Sequence, residues 1–490
     1  MDPGAKPSLV PSTRFTLAIL CFFGCLVTYS LRTNMSFAIV CMVNENKTVE
    51  VGAIGKCGQA IEAKAKDVEG EFDWDADLKG TVLGAFFWGY LGSQVLGGMA
   101  ASHFGGRRVI VATILGSSLL TLACPMAART SVYILIGLRV LIGFLQGATF
   151  PAMHTMWSVW GPPMELSVLT GVTYAGAQIG NVVVLPLSGF LCKYGFDGGW
   201  PSIFYILGIV GVLWCVAWMY VVSDRPSTHP RISEREKTYI IEAVEASMGK
   251  STSKPLPTPW KKILTSPAVW AIWIGHFAGD WGAYTMLVSM PSFLKDVLGF
   301  DLSALGVISA IPYIAYFLVI NVGGILSDFV RSRKILSTLN TRRAAMLIAL
   351  LGQGIFLVLS SYCGCGQEIL VIVCITLGMA ISGLQYSGFV VNYLDIAPPF
   401  SGTVMGMGNT LSCLAGIISP IVSTKLTPNG TQEEWQLVMW LTAGILVVGS
   451  IAFTVLASGD VQDWAKAPGQ GPEEVPLHPT EDTAVEKTIA

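Results

Sequence analysis

The sequence predicts an all-α membrane protein: twelve transmembrane helices in two pseudo-symmetric six-helix bundles. Three observations lead there. Of the 490 residues, 52% are apolar and only 13% charged, against roughly a quarter charged in a soluble domain. Twelve apolar stretches reach bilayer-spanning length, which takes about 20 residues each; they run over 15–41, 79–102, 108–128, 131–157, 166–192, 200–222, 266–290, 302–326, 342–362, 368–391, 401–425 and 435–458. A glycine-rich loop also occurs twice, as Gly97-Gly98-Met-Ala-Ala-Ser102-His-Phe-Gly-Gly-Arg107-Arg108 after the second stretch and as Gly323-Gly324-Ile-Leu-Ser-Asp328-Phe-Val-Arg-Ser-Arg333-Lys334 after the eighth, 226 residues on. A repeat at that scale argues for two related bundles with a site between them.

Taken in order, residues 1–14 read as a tail. The first stretch is too long, and too polar at Arg32 and Asn34, for a cleaved signal peptide, so it is expected to remain as a helix. A polar loop, 42–78, follows it, and the first bundle closes at 222. Residues 223–265, rich in Pro, Ser and Lys, read as a linker, with its charges expected in solvent. Within it, Ser233 and Glu236 stand in capping-box spacing ahead of Tyr239, Ile240 and Ile241, which predicts a short surface helix. The second bundle covers 266–458 and a second tail 459–490.

An even number of spans puts both ends on one face. That face carries nineteen of the thirty Lys and Arg residues, including the linker and the cluster Arg331, Arg333, Lys334, Arg342 and Arg343. The opposite loops carry nine, so the termini are expected in the cytoplasm. Two sequons, at Asn46 and Asn429, fall in loops of the other face, where glycosylation occurs. The membrane is expected to be lysosomal, vesicular or plasma. Of eleven cysteines, only Cys57, Cys363 and Cys365 fall in loops, which leaves Cys57 with either of the others as the candidate bridge. A net charge of −2 gives no reason to expect nucleic acid.

Charge inside hydrocarbon is costly and usually faces a bundle interior or a cavity. Arg32 and Arg139 each lie about 12 to 14 Å below the non-cytoplasmic surface, at 1.5 Å per residue. A guanidinium cannot shed its charge and matches a carboxylate or phosphate, so an anion held between the two would offset both burials. Gln146, two turns beyond Arg139 on the same face, can bond a ligand without carrying charge. His276 and Asp280, one turn apart in span seven, form a candidate proton site, although His276 reads equally as a packed histidine. His154, after Pro151, is a candidate for gating or for packing. Glu165 after Pro162-Pro163 and Asp395 before Pro398-Pro399 occupy corresponding places in the two halves and are candidate conformational latches. The chain has no HExxH, no HxxxH and no phosphate-loop motif, so neither metal, cofactor nor enzymatic chemistry is expected.

Several motifs then carry a resemblance: Tyr29-Ser-Leu-Arg32-Thr-Asn34-Met-Ser36, Phe86-Phe-Trp-Gly-Tyr90, Phe150-Pro-Ala-Met-His154-Thr-Met-Trp157, Tyr174-Ala-Gly-Ala-Gln178, Asn392-Tyr-Leu-Asp395-Ile-Ala-Pro398 and Gly459-Asp-Val-Gln-Asp-Trp464. From about residue 13 to 466 the chain resembles the sialin and vesicular glutamate transporter group, the organic anion branch of the major facilitator superfamily. The resemblance implies the major facilitator fold and anion transport by alternating access, often with protons, with Arg32 and Arg139 engaging the substrate carboxylate beside Tyr29, Asn34 and Gln146. Sialic acid or a similar acidic solute is the favoured substrate. The chain departs from the group in three ways. Gln146 replaces the Glu of proton-coupled sugar-acid exporters. Gly279 replaces the Arg of the glutamate transporters. Leu166 replaces the Arg of the usual Pro-Pro-Leu-Glu-Arg-Ser. Coupling is therefore expected in one of two forms, protons through Asp280 or His276, or membrane potential alone. The alternatives to an organic anion carrier are a phosphate or urate carrier driven by voltage and a non-transporting receptor on the same scaffold.

Overall fold

A computed structural model describes residues 7–43, 70–74, 76–248, 257–298, 310–364 and 366–466. The Asn46 sequon, Cys57, Cys365, most of the 42–78 loop and the tail beyond 466 lie outside the described residues.

The first half is α1 (Thr13–Met42), α2 (Ala76–Phe104), α3 (Gly106–Thr130), the pair α4 (Val132–Gly147) and α5 (Thr149–Trp160), α6 (Leu166–Tyr194) and α7 (Trp200–Val221). The linker holds α8 (Glu234–Met248) and α9 (Trp260–Thr265). The second half is α10 (Pro267–Tyr284), continued through a π-turn at Thr285–Ser289 into α11 (Met290–Leu298), then α12 (Ala310–Ser332) and α13 (Thr338–Ser361). It closes with α14 (Glu368–Ser382), α15 (Phe389–Ile396), α16 (Ser401–Leu426) and α17 (Gln432–Leu456). With the α4–α5, α10–α11 and α14–α15 pairs each taken as one span, these are the twelve expected crossings. Ten are long and apolar enough to cross a membrane by that measure alone. The other two, α2 and α10, are diluted by Gly and by polar residues such as Ser93, Gln94, His276 and Asp280. The outer surface is apolar, as lipid requires: on α7 alone Ile209, Leu213, Val216 and Tyr220 are exposed.

The duplicated glycines show what the repeat does. A side chain at Gly98 would run into the Gly402 carbonyl, and one at Gly324, its equivalent, would meet the Ser167 carbonyl at 2.6 Å. Each glycine thus lets its helix touch the opposite half, α2 against α16 and α12 against α6. These crossings lie towards the face that carries the chain ends.

Two expectations need correction. The bridge is Cys41–Cys192, with Cα atoms 6.2 Å apart, joining the far ends of α1 and α6, while Cys363 is free. Both bridged residues end apolar runs, where cysteine reads as a small hydrophobe. The linker charges are also not all in solvent. Ser233 does cap α8, accepting from the Glu236 N–H at 3.3 Å, but the Glu236 carboxylate is buried against α1. It accepts from the Thr13 and Arg14 backbone at 3.0 and 3.1 Å and from the Arg14 guanidinium at 2.9 Å.

Candidate functional site

Three interruptions of helical regularity meet at one place between the halves. The α4–α5 span breaks at Ala148, α10 gives way to its π-turn after Tyr284, and α14 tightens into a 3₁₀ turn over Gly383–Ser387. Beside these breaks lie Phe150, Tyr284, Gln385 and Tyr386, which line a cavity together with Tyr29, Arg32, Tyr90, His276 and Asp280. Broken helices free backbone groups and turn side chains inward, and in carriers they mark the binding region. The first and third breaks fall in spans four and ten, equivalent members of the two halves.

Arg32 sits in an aromatic box. Its guanidinium carbon lies 5.5 Å from the ring centre of Tyr29, 5.1 Å from Phe86 and from Phe87, and 5.0 Å from Tyr90. Cation–π attraction of this kind is worth about 2 kcal/mol when desolvated, which holds the side chain without neutralising it. Its hydrogen bond goes across the halves to the Tyr284 hydroxyl at 3.3 Å. Arg139 stands over the same Phe86 ring at 5.3 Å. It is buried, with its Nε unbonded, and is not part of the cavity wall. The two guanidinium groups share a level and one ring, but only Arg32 reaches the space.

Of the other residues expected to bind substrate, Tyr29 lines the cavity. Asn34 and Gln146 do not; both are buried, with the polar atoms of their side chains unbonded. His276 and Asp280 do come together, with Nε2 3.5 Å from Oδ2. The Ser412 hydroxyl donates a short hydrogen bond to the same carboxylate oxygen. On its other side His276 pairs Nδ1 with the Tyr393 hydroxyl at 3.0 Å and stacks on Phe389. The space enclosed is about 60 Å³, enough for a few waters, whereas ligand pockets run to roughly 300 Å³ or more. Loading a sugar-sized acid therefore requires the halves to move around it.

The candidate latches lie between the cavity and the face of the chain ends. Glu165 accepts from Arg14 Nε at 2.6 Å, which joins it through Arg14 to Glu236. Burial by itself would raise the Glu236 carboxyl, but the Thr13 and Arg14 N–H donors and the Arg14 charge outweigh it and hold the group below the usual carboxylate range. Burial beside Glu165 pushes the Tyr239 phenol up to about 12. Asp395 pairs with Arg342 at 2.8 Å, within the second half. Arg342 then reaches across to the Ser167 hydroxyl at 2.8 Å. Two more bonds cross nearby: Val168 N–H to Asp328 at 2.8 Å and Arg331 to the Pro163 carbonyl at 2.8 Å. His154 belongs to this closure as well. Its Nε2 donates to the Val390 carbonyl at 3.1 Å, which leaves Nδ1 to accept from Tyr174. Sequence reasoning missed Arg14 and Arg342 by counting them as loop charges.

A second cavity, about 350 Å³, opens at this face among Trp157, Pro163, Arg331, Asp395 and Lys466. It is the larger of the two, but Arg331 and Asp395 there are already engaged with Pro163 and Arg342. On the opposite face, Arg129 joins Glu71 and Asp197 at 2.8 and 2.9 Å. The amide of Asn429, in an exposed turn, donates to Glu434 at 2.8 Å.

With this geometry in hand, residues 17–420 match the family model of the Major Facilitator Superfamily. The chain is 71% identical over 477 residues to an uncharacterized transporter, slc-17.2, of Caenorhabditis elegans, which aligns over 97% of its length with 96% of this chain. It is 40% identical over 458 residues to sialin of Homo sapiens, with 93% of this chain and 91% of sialin covered. Among solved structures it is similar to the proton:xylose symporter XylE, with a TM-score of 0.66 at 14% identity over 91% of this chain and 97% of that one. A likeness at that identity concerns the fold. Nothing among these relatives points to a receptor.

Proposed function

The chain belongs to the Major Facilitator Superfamily and within it to the family of sialin, so it is a membrane transporter and not an enzyme; from that premise we propose that it carries small organic anions, sialic acid or a similar sugar acid, by alternating access. The observation that carries the reading is Arg32. It is a permanent cation in the space between the halves, held by aromatic faces and one hydroxyl. A substrate carboxylate that takes the place of Tyr284 supplies the missing negative charge and loosens a contact between the halves. Arg139 contributes from behind Phe86, as a second positive charge that the carboxylate feels through the ring.

For such an anion, Asp280 is an obstacle unless it is neutralised, and a proton shared between Asp280 and His276 does this. Symport with protons is therefore the proposed coupling. The Cys41–Cys192 bridge and the Asn429 sequon lie on the face opposite the chain ends. Both suit an oxidising, glycosylating compartment, which supports termini in the cytoplasm and either a vesicular or lysosomal membrane or the cell surface. The test is uptake of labelled sialic acid into proteoliposomes under an imposed pH gradient at zero potential. Stimulation that Arg32→Gln abolishes is expected. Uptake that responds only to voltage, worth about 2.3 kcal/mol per charge per 100 mV, would replace the proton by the potential as the driving force.

A further inference from the structure

Two side chains of opposite charge type line the cavity, Arg32 and Asp280. Among the described residues, buried charges near the face of the chain ends are closed upon each other, as in Arg14 with Glu165 at 2.6 Å and Arg342 with Asp395 at 2.8 Å. Here they are not. Arg32 bonds the Tyr284 hydroxyl, Asp280 accepts from Ser412 and lies beside His276, and among the described residues no ion pair joins the two. Both side chains are only partly buried and stand open to this space, with neutral or titratable neighbours in place of a permanent countercharge. An arginine and an aspartate kept apart across one space thus call for a solute that brings both countercharges.

Resting on the reading of Arg32 as the carboxylate site, we propose that the same cavity takes net-neutral amino carboxylates, with the carboxylate on Arg32 and the ammonium on Asp280. The walls suit that occupant. Tyr386 and Phe389, which line the cavity with Asp280, offer aromatic faces to an ammonium. A plain carboxylate satisfies Arg32 alone and must bring a proton for Asp280 or His276. A zwitterion carries its own positive charge, so it needs no proton and moves no net charge. The two solute classes therefore differ in coupling at one site, and Asp280 decides between them.

The test uses purified protein in proteoliposomes and matched pairs of labelled solutes, alanine with propionate and 4-aminobutyrate with butyrate, with pH equal on both sides and the potential at zero. Wild-type protein is expected to take up the amino member at least tenfold faster than the plain acid, and an inward proton gradient to speed only the plain acid. Asp280→Asn is expected to lose at least tenfold in amino-member uptake and to lose the pH stimulation of plain-acid uptake. Asp280→Glu, which keeps the charge, is expected to retain amino-member uptake. Thermal stabilisation of the purified protein by the same solutes gives a binding readout independent of turnover and of reconstitution. The proposal is overturned if wild type takes or binds plain acids and not their amino partners, or if Asp280→Asn handles the amino members as wild type does. If Arg32→Gln leaves both classes undiminished, or if neither class is transported or stabilises the protein, the Arg32 reading fails, and this proposal with it.

Discussion

The closure at the face of the chain ends and the cavity a few turns away use the same residue types in opposite ways. At the closure, Arg14, Arg342, Asp395 and Glu236 are each matched by buried partners at 2.6 to 3.3 Å. In the cavity, Arg32 has rings and a hydroxyl, and Asp280 has a hydroxyl and an imidazole. The difference separates a charge that holds the protein shut from a charge that waits for a ligand. Matched pairs brace the ends of each half, from which Arg342 reaches across to Ser167; unmatched charge favours whatever arrives to match it.

The largest expected effect on uptake is at Arg32. A hydrogen bond to a charged group contributes about 1.5–3 kcal/mol, so Arg32→Gln should cut uptake by about 10- to 150-fold at unchanged membrane abundance. Undiminished uptake would erase the contrast between the two regions. Arg342→Ala comes next in the comparison, because it strands Asp395. Breaking a buried pair costs about 3–5 kcal/mol, read as a lower melting temperature together with faster labelling of a cysteine introduced at Ser327 from the side of the chain ends. Arg342→Met combined with Asp395→Leu should recover most of the melting temperature but not the closure. Arg139→Gln should lower uptake by about tenfold, less than Arg32→Gln, since its charge reaches the cavity past Phe86; an effect equal to that of Arg32→Gln would restore a two-arginine clamp. Smallest is the pH response of the α1–α8 contact. The folded Glu236 carboxyl titrates below its ordinary value of 4.5, so the contact is fully present above that pH and is lost as pH falls through the lower folded value. Protection of the α8 amides, taken relative to their intrinsic exchange rate at each pH, should stay constant from pH 8 to about 5 and fall only in stronger acid, and Glu236→Gln should show the lowered protection throughout.

The spans were legible because hydrocarbon demands long apolar runs, and the two halves because the glycines that touch across the gap, Gly98 and Gly324, must recur. The pairing of His276 with Asp280 followed from helical spacing alone. What the sequence hid was direction around the helix axis. Depth places Arg32 and Arg139 at one level, but nothing in the spacing says that Phe86 stands with both and that only Arg32 faces the space. Asn34 and Gln146 turn out to lie away from the cavity for the same reason. Arg14 and Arg342 escaped notice because a charge at a helix end looks like an orientation signal, whether water or a carboxylate surrounds it. The breaks at Ala148 and Gly383 were invisible because each falls inside a single stretch of span length, 131–157 and 368–391.

The most direct test of the account is a structure determined with a carboxylate solute bound. The account predicts the carboxylate within hydrogen-bonding distance of the Arg32 guanidinium, with Tyr284 displaced from it and Arg139 still behind Phe86. A carboxylate seated on Arg139, or in the cavity beside Arg331 and Lys466, with the Arg32–Tyr284 bond intact, would contradict it.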